Sequence, residues 1–156
     1  MILIINNRRK NIINRKMIYL CGGMGKFGKE RFSEANEWRI DINNKIRDAS
    51  NGKISCCNPN DHFNFLDDKE YSSQREVMEY DLYRVRNSDV IVVNFNDPNS
   101  IGSACEMAIA YYKRIPIIGL CEYGENNNLH PWLKCMCNRI FVDREKLILY
   151  IVKHYI

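Results

Sequence analysis

Short apolar runs and helix-periodic segments alternate five times along this chain, and that rhythm limits its architecture more than any other feature. The runs are "MIYLC" (17–21), "KISCC" (53–57), "DVIVV" (89–93), "IPIIGL" (115–120) and "RIFV" (139–142). Each has strand length and ends at turn-forming or polar residues, such as Gly22-Gly23 after the first and Asn58-Pro59 after the second. Between them, residues 29–49 place Phe32, Ala35, Trp38, Ile42, Ile46 and Ala49 at helical spacing. A polar loop to Ser73 leads into a second helix over 74–87, a third spans 101–113, "HPWLKCMC" forms a short helix, and a last helix starts near Glu145. "DVIVV" is apolar on both faces, as a central parallel strand must be. Strand–helix alternation predicts an α/β fold, a flavodoxin-like three-layer sandwich around a five-stranded parallel sheet of order 2-1-3-4-5. Such sheets bind ligands beyond the carboxyl ends of the strands where the order reverses, here between strands one and three. Residues 22–28 and 94–100 therefore meet at the expected site.

The chain's 156 residues fit one domain, read as 17–156, with residues 1–16 as an extension ahead of it. "MILII" is followed by "NNRRKNIINRK", too short an apolar run and with its charges on the wrong side for a signal peptide. The segment is a basic tail or an edge strand, and Met17 is a candidate alternative start. No apolar run approaches the ~20 residues that cross a bilayer. The net charge of +4 comes largely from Arg8, Arg9, Lys10, Arg15 and Lys16, so no basic stripe marks a nucleic-acid polymer as partner. The seven cysteines form no C-x-x-C pair; Cys56-Cys57 are adjacent and Cys135-x-Cys137 is too tight for a zinc knuckle. A reducing cytoplasm, with no metal site and no cofactor, is the expected setting.

Gly23-x-Gly25-x-x-Gly28 has the form of a dinucleotide-binding fingerprint. That reading needs an acid at the end of strand two, ~20 residues past the glycines. The first acid there is Asp61, 33 residues beyond Gly28, and Asp48 falls inside the first helix. A nicotinamide or flavin oxidoreductase is disfavoured, and the glycines are read as a loop over a different ligand.

Two acids carry the chemistry. In the second helix Asp81 falls between Val77 and Val85 at i, i+4 spacing, inside the apolar arc that also takes in Met78 and Leu82. A carboxylate there is costly unless paired. Either it is a structural acid bonding backbone or an arginine, or it lines a ligand site with its proton affinity raised. In the third helix Glu106 lies among Ala104, Cys105, Met107 and Ala108. Either it closes a capping box with Ser103, or the helix starts at a Ser100 N-cap and Glu106 is free for chemistry, with Gly102 letting a ligand approach the first turn. Two carboxylates converging on one pocket are the equipment for breaking a glycosidic bond with retention.

"IYLCGGM", "EYDLYRVRNSDVIVVNF" and "PNSIGSACEMAIAYYKRIPIIGL" together resemble the nucleoside 2-deoxyribosyltransferase family, including its deoxynucleoside 5′-monophosphate N-glycosidase relatives. The likeness covers roughly residues 17–121. It implies that Glu106 attacks C1′ of a 2-deoxyribose to give a covalent deoxyribosyl-enzyme, that Asp81 holds or protonates the departing base, and that Tyr19 positions Glu106. A second base then gives transfer and water gives hydrolysis; a pocket retained for binding without turnover is the remaining alternative. Gly22 and Gly23 would let the sugar sit against strand one. The resemblance departs at the start of the third helix, where transferases carry an acid: here Ser100 stands six residues before Glu106 and the nearest acid is Asp97. Serine is similar to the hydrolysing relatives, so nucleoside and 5′-monophosphate both stay open. A homo-oligomer is implied by the resemblance. "LHPWL" (129–133) is outside it; Trp132 and His130 either meet a ligand or pack a loop on the core.

Deleting residues 2–16 tests the proposed boundary. A folded, monodisperse product is expected, and loss of the cooperative unfolding transition would place the segment in the core.

Overall fold

A computed structural model describes residues 15–25, 27–28, 30–63, 71–122, 124 and 128–155. The expected N-terminal extension falls almost wholly outside these residues. Five strands, β1 (Lys16–Gly22), β2 (Ile54–Cys57), β3 (Val90–Asn94), β4 (Ile117–Leu120) and β5 (Arg139–Phe141), form one parallel sheet of order β2-β1-β3-β4-β5. The connecting helices are α1 (Phe32–Ala49), α2 (Gln74–Arg86), α3 (Ile101–Tyr112), the short α4 (Pro131–Met136) and α5 (Arg144–Tyr155). The predicted topology is the observed one.

Alternation along the buried strands sorts their side chains between two cores. Ile18 and Leu20 of β1 point to one face, with Val90, Val92, Ile118 and Leu120, under α1 and α5. Tyr19 and Cys21 point to the other, with Ile91, Val93 and Ile117, under α2 and α3. The two-residue period thus delivers Tyr19 to the same layer as the third helix.

Two boundaries moved for identifiable reasons. The first helix starts at Phe32, not residue 29, because Gly28 adopts φ +62° and the chain turns before the helix. A single 3₁₀ turn, Pro59–Asp61, follows β2 where a plain loop was expected. Its N-cap Asn58 accepts from the Asn60 N–H, and Asn58 and Asn60 both donate to Asn36 of α1.

The glycines after β1 are required by close approach. Cβ atoms added at Gly22 and Gly23 would lie 2.9 Å from Trp38 Cζ2 and 2.5 Å from Asp97 Cβ. The second contact draws the β1–α1 and β3–α3 loops together. Gly23→Ala is expected to lower stability by about 1–3 kcal/mol, read as a reduced urea midpoint, since the opposing atom is next to backbone and cannot rotate away.

Candidate active site

The two loops and the first turns of α2 and α3 enclose a cavity of about 530 Å³, within the range of small-ligand sites. Asp81, Glu106 and Ser103 stand on its α2–α3 side, Gly22, Met24 and Arg39 at the end of β1, and Asp97, Ser100 and Gly102 at its mouth. Phe63, Tyr71, Gln74 and Val77 form the remaining wall. Of the residues expected from sequence, Tyr19 and Gly23 stand behind the lining, and the others line it.

Helix α3 settles the alternatives for Glu106. Its N-cap is Ser100, whose Oγ accepts from the Ser103 N–H at 3.3 Å. Ser103 is thus inside the helix and buried, and no Ser103–Glu106 capping box exists. Instead the Tyr19 hydroxyl donates to Glu106 Oε1 at 2.7 Å. Burial pushes the Glu106 carboxyl up, while Cys21, Tyr19 and Arg39 each favour its charged form. Burial, then the nearby Glu106 charge, holds Tyr19 far above its ordinary value, so it stays a donor. The arrangement fixes Oε1 on a residue that lines the cavity, which suits a nucleophile.

Asp81 behaves differently. Its Oδ1 is buried and has no hydrogen-bond partner among the described residues. Burial, then the Glu106 charge, raises its pKa to about 7, against a smaller opposing pull from Arg39. The structural-acid alternative required backbone or arginine bonds to this carboxylate; Oδ1 has none among the described residues, and Asp81 lines the cavity, which favours a ligand-facing role. The inward arc of α2 is centred on this residue: Val85 is buried and Val77 and Leu82 are half-buried, but Met78 is 52% exposed and not part of the arc as expected.

Arg39 was not anticipated. It is 1% exposed, stacks on Trp38 with its guanidinium 4.7 Å from the ring centre, and donates to the carbonyls of Leu20, Gly22 and Ala35. Its signal is in the sequence, since Ala35, Arg39, Ile42 and Ile46 share one helical stripe, a cation among apolar residues. Phe63 and Tyr71 were also missed, because their loop carries no periodicity. Their rings meet edge to face at 6.0 Å, and Phe63 also meets Tyr80.

Asp97 half-buries at the mouth, where its Oδ1 accepts from the Asn99 N–H. Gly102 is open, with nothing within 4 Å of an added Cβ. His130 and Trp132 lie outside the cavity lining. His130 Nδ1 caps α4 by accepting from the Trp132 N–H, and Trp132 is 76% exposed. Packing of that segment on the core falls to Leu129 and Leu133.

No protein-family model and no curated protein matches the sequence. Solved structures do. A conserved protein from Enterococcus faecalis V583 superposes with TM-score 0.72 at 19% identity, covering 91% of this chain and 99% of that one. A 2-deoxyribosyltransferase from Bacillus psychrosaccharolyticus gives 0.62 at 16% identity, over 85% and 90%. A CMP N-glycosidase from Clostridium botulinum gives 0.58 at 14% identity, over 87% and 97%. The chain has the fold of 2-deoxyribosyltransferases. At these identities the likeness concerns the fold, and the case for chemistry rests on the side chains above.

Asp81 makes a stability prediction that needs no substrate. Its proton affinity is higher folded than unfolded, so between about pH 4 and about pH 7 the folded chain keeps a proton that the unfolded chain releases, and stability falls as pH rises through that window. Asp81→Asn is expected to remove this slope and to exceed the wild type at about pH 8 by about 1–3 kcal/mol in urea unfolding. Equal stability there would show the carboxylate to be paired.

Proposed function

We propose that the protein cleaves the N-glycosidic bond of a 2-deoxyribonucleoside and transfers the deoxyribosyl group to another base through Glu106. The observation that carries this reading is the Tyr19–Glu106 hydrogen bond at a cavity that Asp81 also lines. A Glu106 carboxylate oxygen attacks C1′. The C1′–N bond breaks, its electron pair goes to the base nitrogen, and the proton on Asp81 passes to the base. The product is a deoxyribosyl ester of Glu106. An acceptor base nitrogen then attacks C1′ from the vacated side, its proton goes to Asp81, and the Glu106 carboxylate leaves, with net retention. The aromatic edges of Phe63 and Tyr71 offer the base an apolar wall.

Asp97 at the mouth favours a neutral 5′-hydroxyl over a phosphate, since a dianion beside a carboxylate is repelled. The competing reading is hydrolysis of a deoxynucleoside 5′-monophosphate, with water as acceptor. It is supported by the N-terminus of α3, where Ser100, Ile101 and Gly102 line the cavity mouth.

Chromatography after incubation with each deoxynucleoside and each monophosphate, with and without a second base, separates these readings. Exchange of bases on the free nucleoside is expected. Glu106→Ala is expected to abolish base release while calorimetric ligand binding survives; undiminished release by that variant would sink the proposal. Because Asp81 must carry a proton, kcat/KM is expected to fall about tenfold per unit above about pH 7. Asp81→Asn is expected to lose that limb along with roughly a hundred- to ten-thousand-fold of the rate.

A further inference from the structure

Among the described residues, Arg39 has no carboxylate within ion-pair distance, although it is almost completely buried. A buried guanidinium of this kind needs its charge offset. Its hydrogen bonds go to neutral acceptors: the carbonyls of Leu20 at 3.2 Å, Gly22 at 2.8 Å and Ala35 at 2.6 Å, and Met24 Sδ at 3.2 Å. These stabilise the group without neutralising it. The anions within its electrostatic reach are those of the cavity, where Arg39 itself forms part of the lining beside Asp81 and Glu106.

The geometry points to Arg39 as a shared counter-charge and positioning residue for Glu106 and Asp81, reaching them from the opposite layer of the sandwich. The residue rises from α1, under the face of the sheet that carries Ile18 and Leu20, while both acids sit over the other face. It crosses between layers at the carboxyl end of β1, bonding the Leu20 and Gly22 carbonyls, and there lines the same cavity as both acids. The groups facing this junction are Tyr19 and Cys21 from β1, Asp81 from α2, Glu106 from α3 and Asp97 from the β3–α3 loop, with Cys57 beyond Asp81 at the end of β2. Arg84 stands at the outer side of that thiol, donating to Cys57 Sγ at 3.2 Å, and Arg39 is the one cation among the described residues that line the cavity with the two acids. Two carboxylates in a half-dry cavity resist joint ionisation, and a fixed positive charge behind them lets Glu106 ionise while Asp81 holds its proton. The inference rests on the cavity's charges and holds whether or not the proposed reaction is the right one.

The test reads ionisation directly. Carboxyl-carbon NMR titration of the free protein follows Glu106 and Asp81, with resonances assigned through Glu106→Gln and Asp81→Asn. In Arg39→Met both midpoints are expected to rise by about one pH unit or more, and in Arg39→Lys to stay near wild type, because lysine keeps the charge and loses the fork. Unmoved midpoints in Arg39→Met, or equal shifts in both variants, would overturn the inference in favour of a backbone brace. Should Arg39→Met fail to fold, it is combined with Asp81→Asn and Glu106→Gln. Recovery of cooperative unfolding in the combination supports a counter-charge, since no unbalanced carboxylates remain. Continued failure overturns it. None of these readings depends on turnover, so a catalytically silent protein with shifted midpoints refutes the enzyme proposal alone.

Discussion

The hydroxyl of Tyr19 on Glu106 Oε1 is the interaction around which the site is organised. It joins the first strand to the third helix, elements 87 residues apart in sequence. It forms because strand side chains alternate and because β1 runs between β2 and β3, so a tyrosine at its centre lies fully buried under α3. A one-residue slip of β1 would send the phenol to the α1 layer and put Leu20 against the carboxylate. The parallel register Tyr19↔Ile91 and Leu20↔Val92 prevents that slip, as both faces of the strand are committed to apolar neighbours.

Around that contact the two acids are differentiated by surroundings, not by residue type. Glu106 has a donor on one oxygen and a thiol beside it, and both favour its charge against burial. Asp81 has burial, a neighbouring anion and no donor on Oδ1, and all three favour its proton. One carboxylate is thereby suited to attack and its neighbour to give up a proton, the division of labour that two nearby acids need.

Much of this was legible from sequence because it follows from period and spacing. The strand order and the meeting of the two loops came from the alternation of strand and helix signals. Asp81 came from its i, i+4 relation to Val77 and Val85. Ser100 as the α3 cap and Glu106 as a non-capping acid were one of two readings, and only the observed helix start separated them. Other features were out of reach. Gly22 and Gly23 look like turn residues in sequence, whereas they are small because Trp38 and Asp97 press against them, a long-range contact with no local signature. Phe63 and Tyr71 come from an aperiodic loop, so nothing in their spacing placed them at a cavity wall. Met78 was assigned to the buried face of α2 because it is apolar, yet the arc turns about Asp81 and leaves it out.

The crossing of Arg39 from one layer to the other has a consequence for how such a protein can diverge. Three of its four anchors are carbonyl oxygens, two on β1 and one on its own helix, and carbonyls do not change when residues are substituted; the fourth is Met24 Sδ. The helix α1 is therefore tethered to the strand that carries Tyr19 by two bonds to its backbone, at Leu20 and Gly22. Substitutions throughout the α1–α5 layer, remote from the cavity, are transmitted to it whenever they tilt that helix, while on β1 a side chain at Gly22 would press on the guanidinium itself, its Cβ 3.3 Å from Arg39 Nη2. Drift in a layer that never touches a ligand can thus retune the acids on the far side of the sheet.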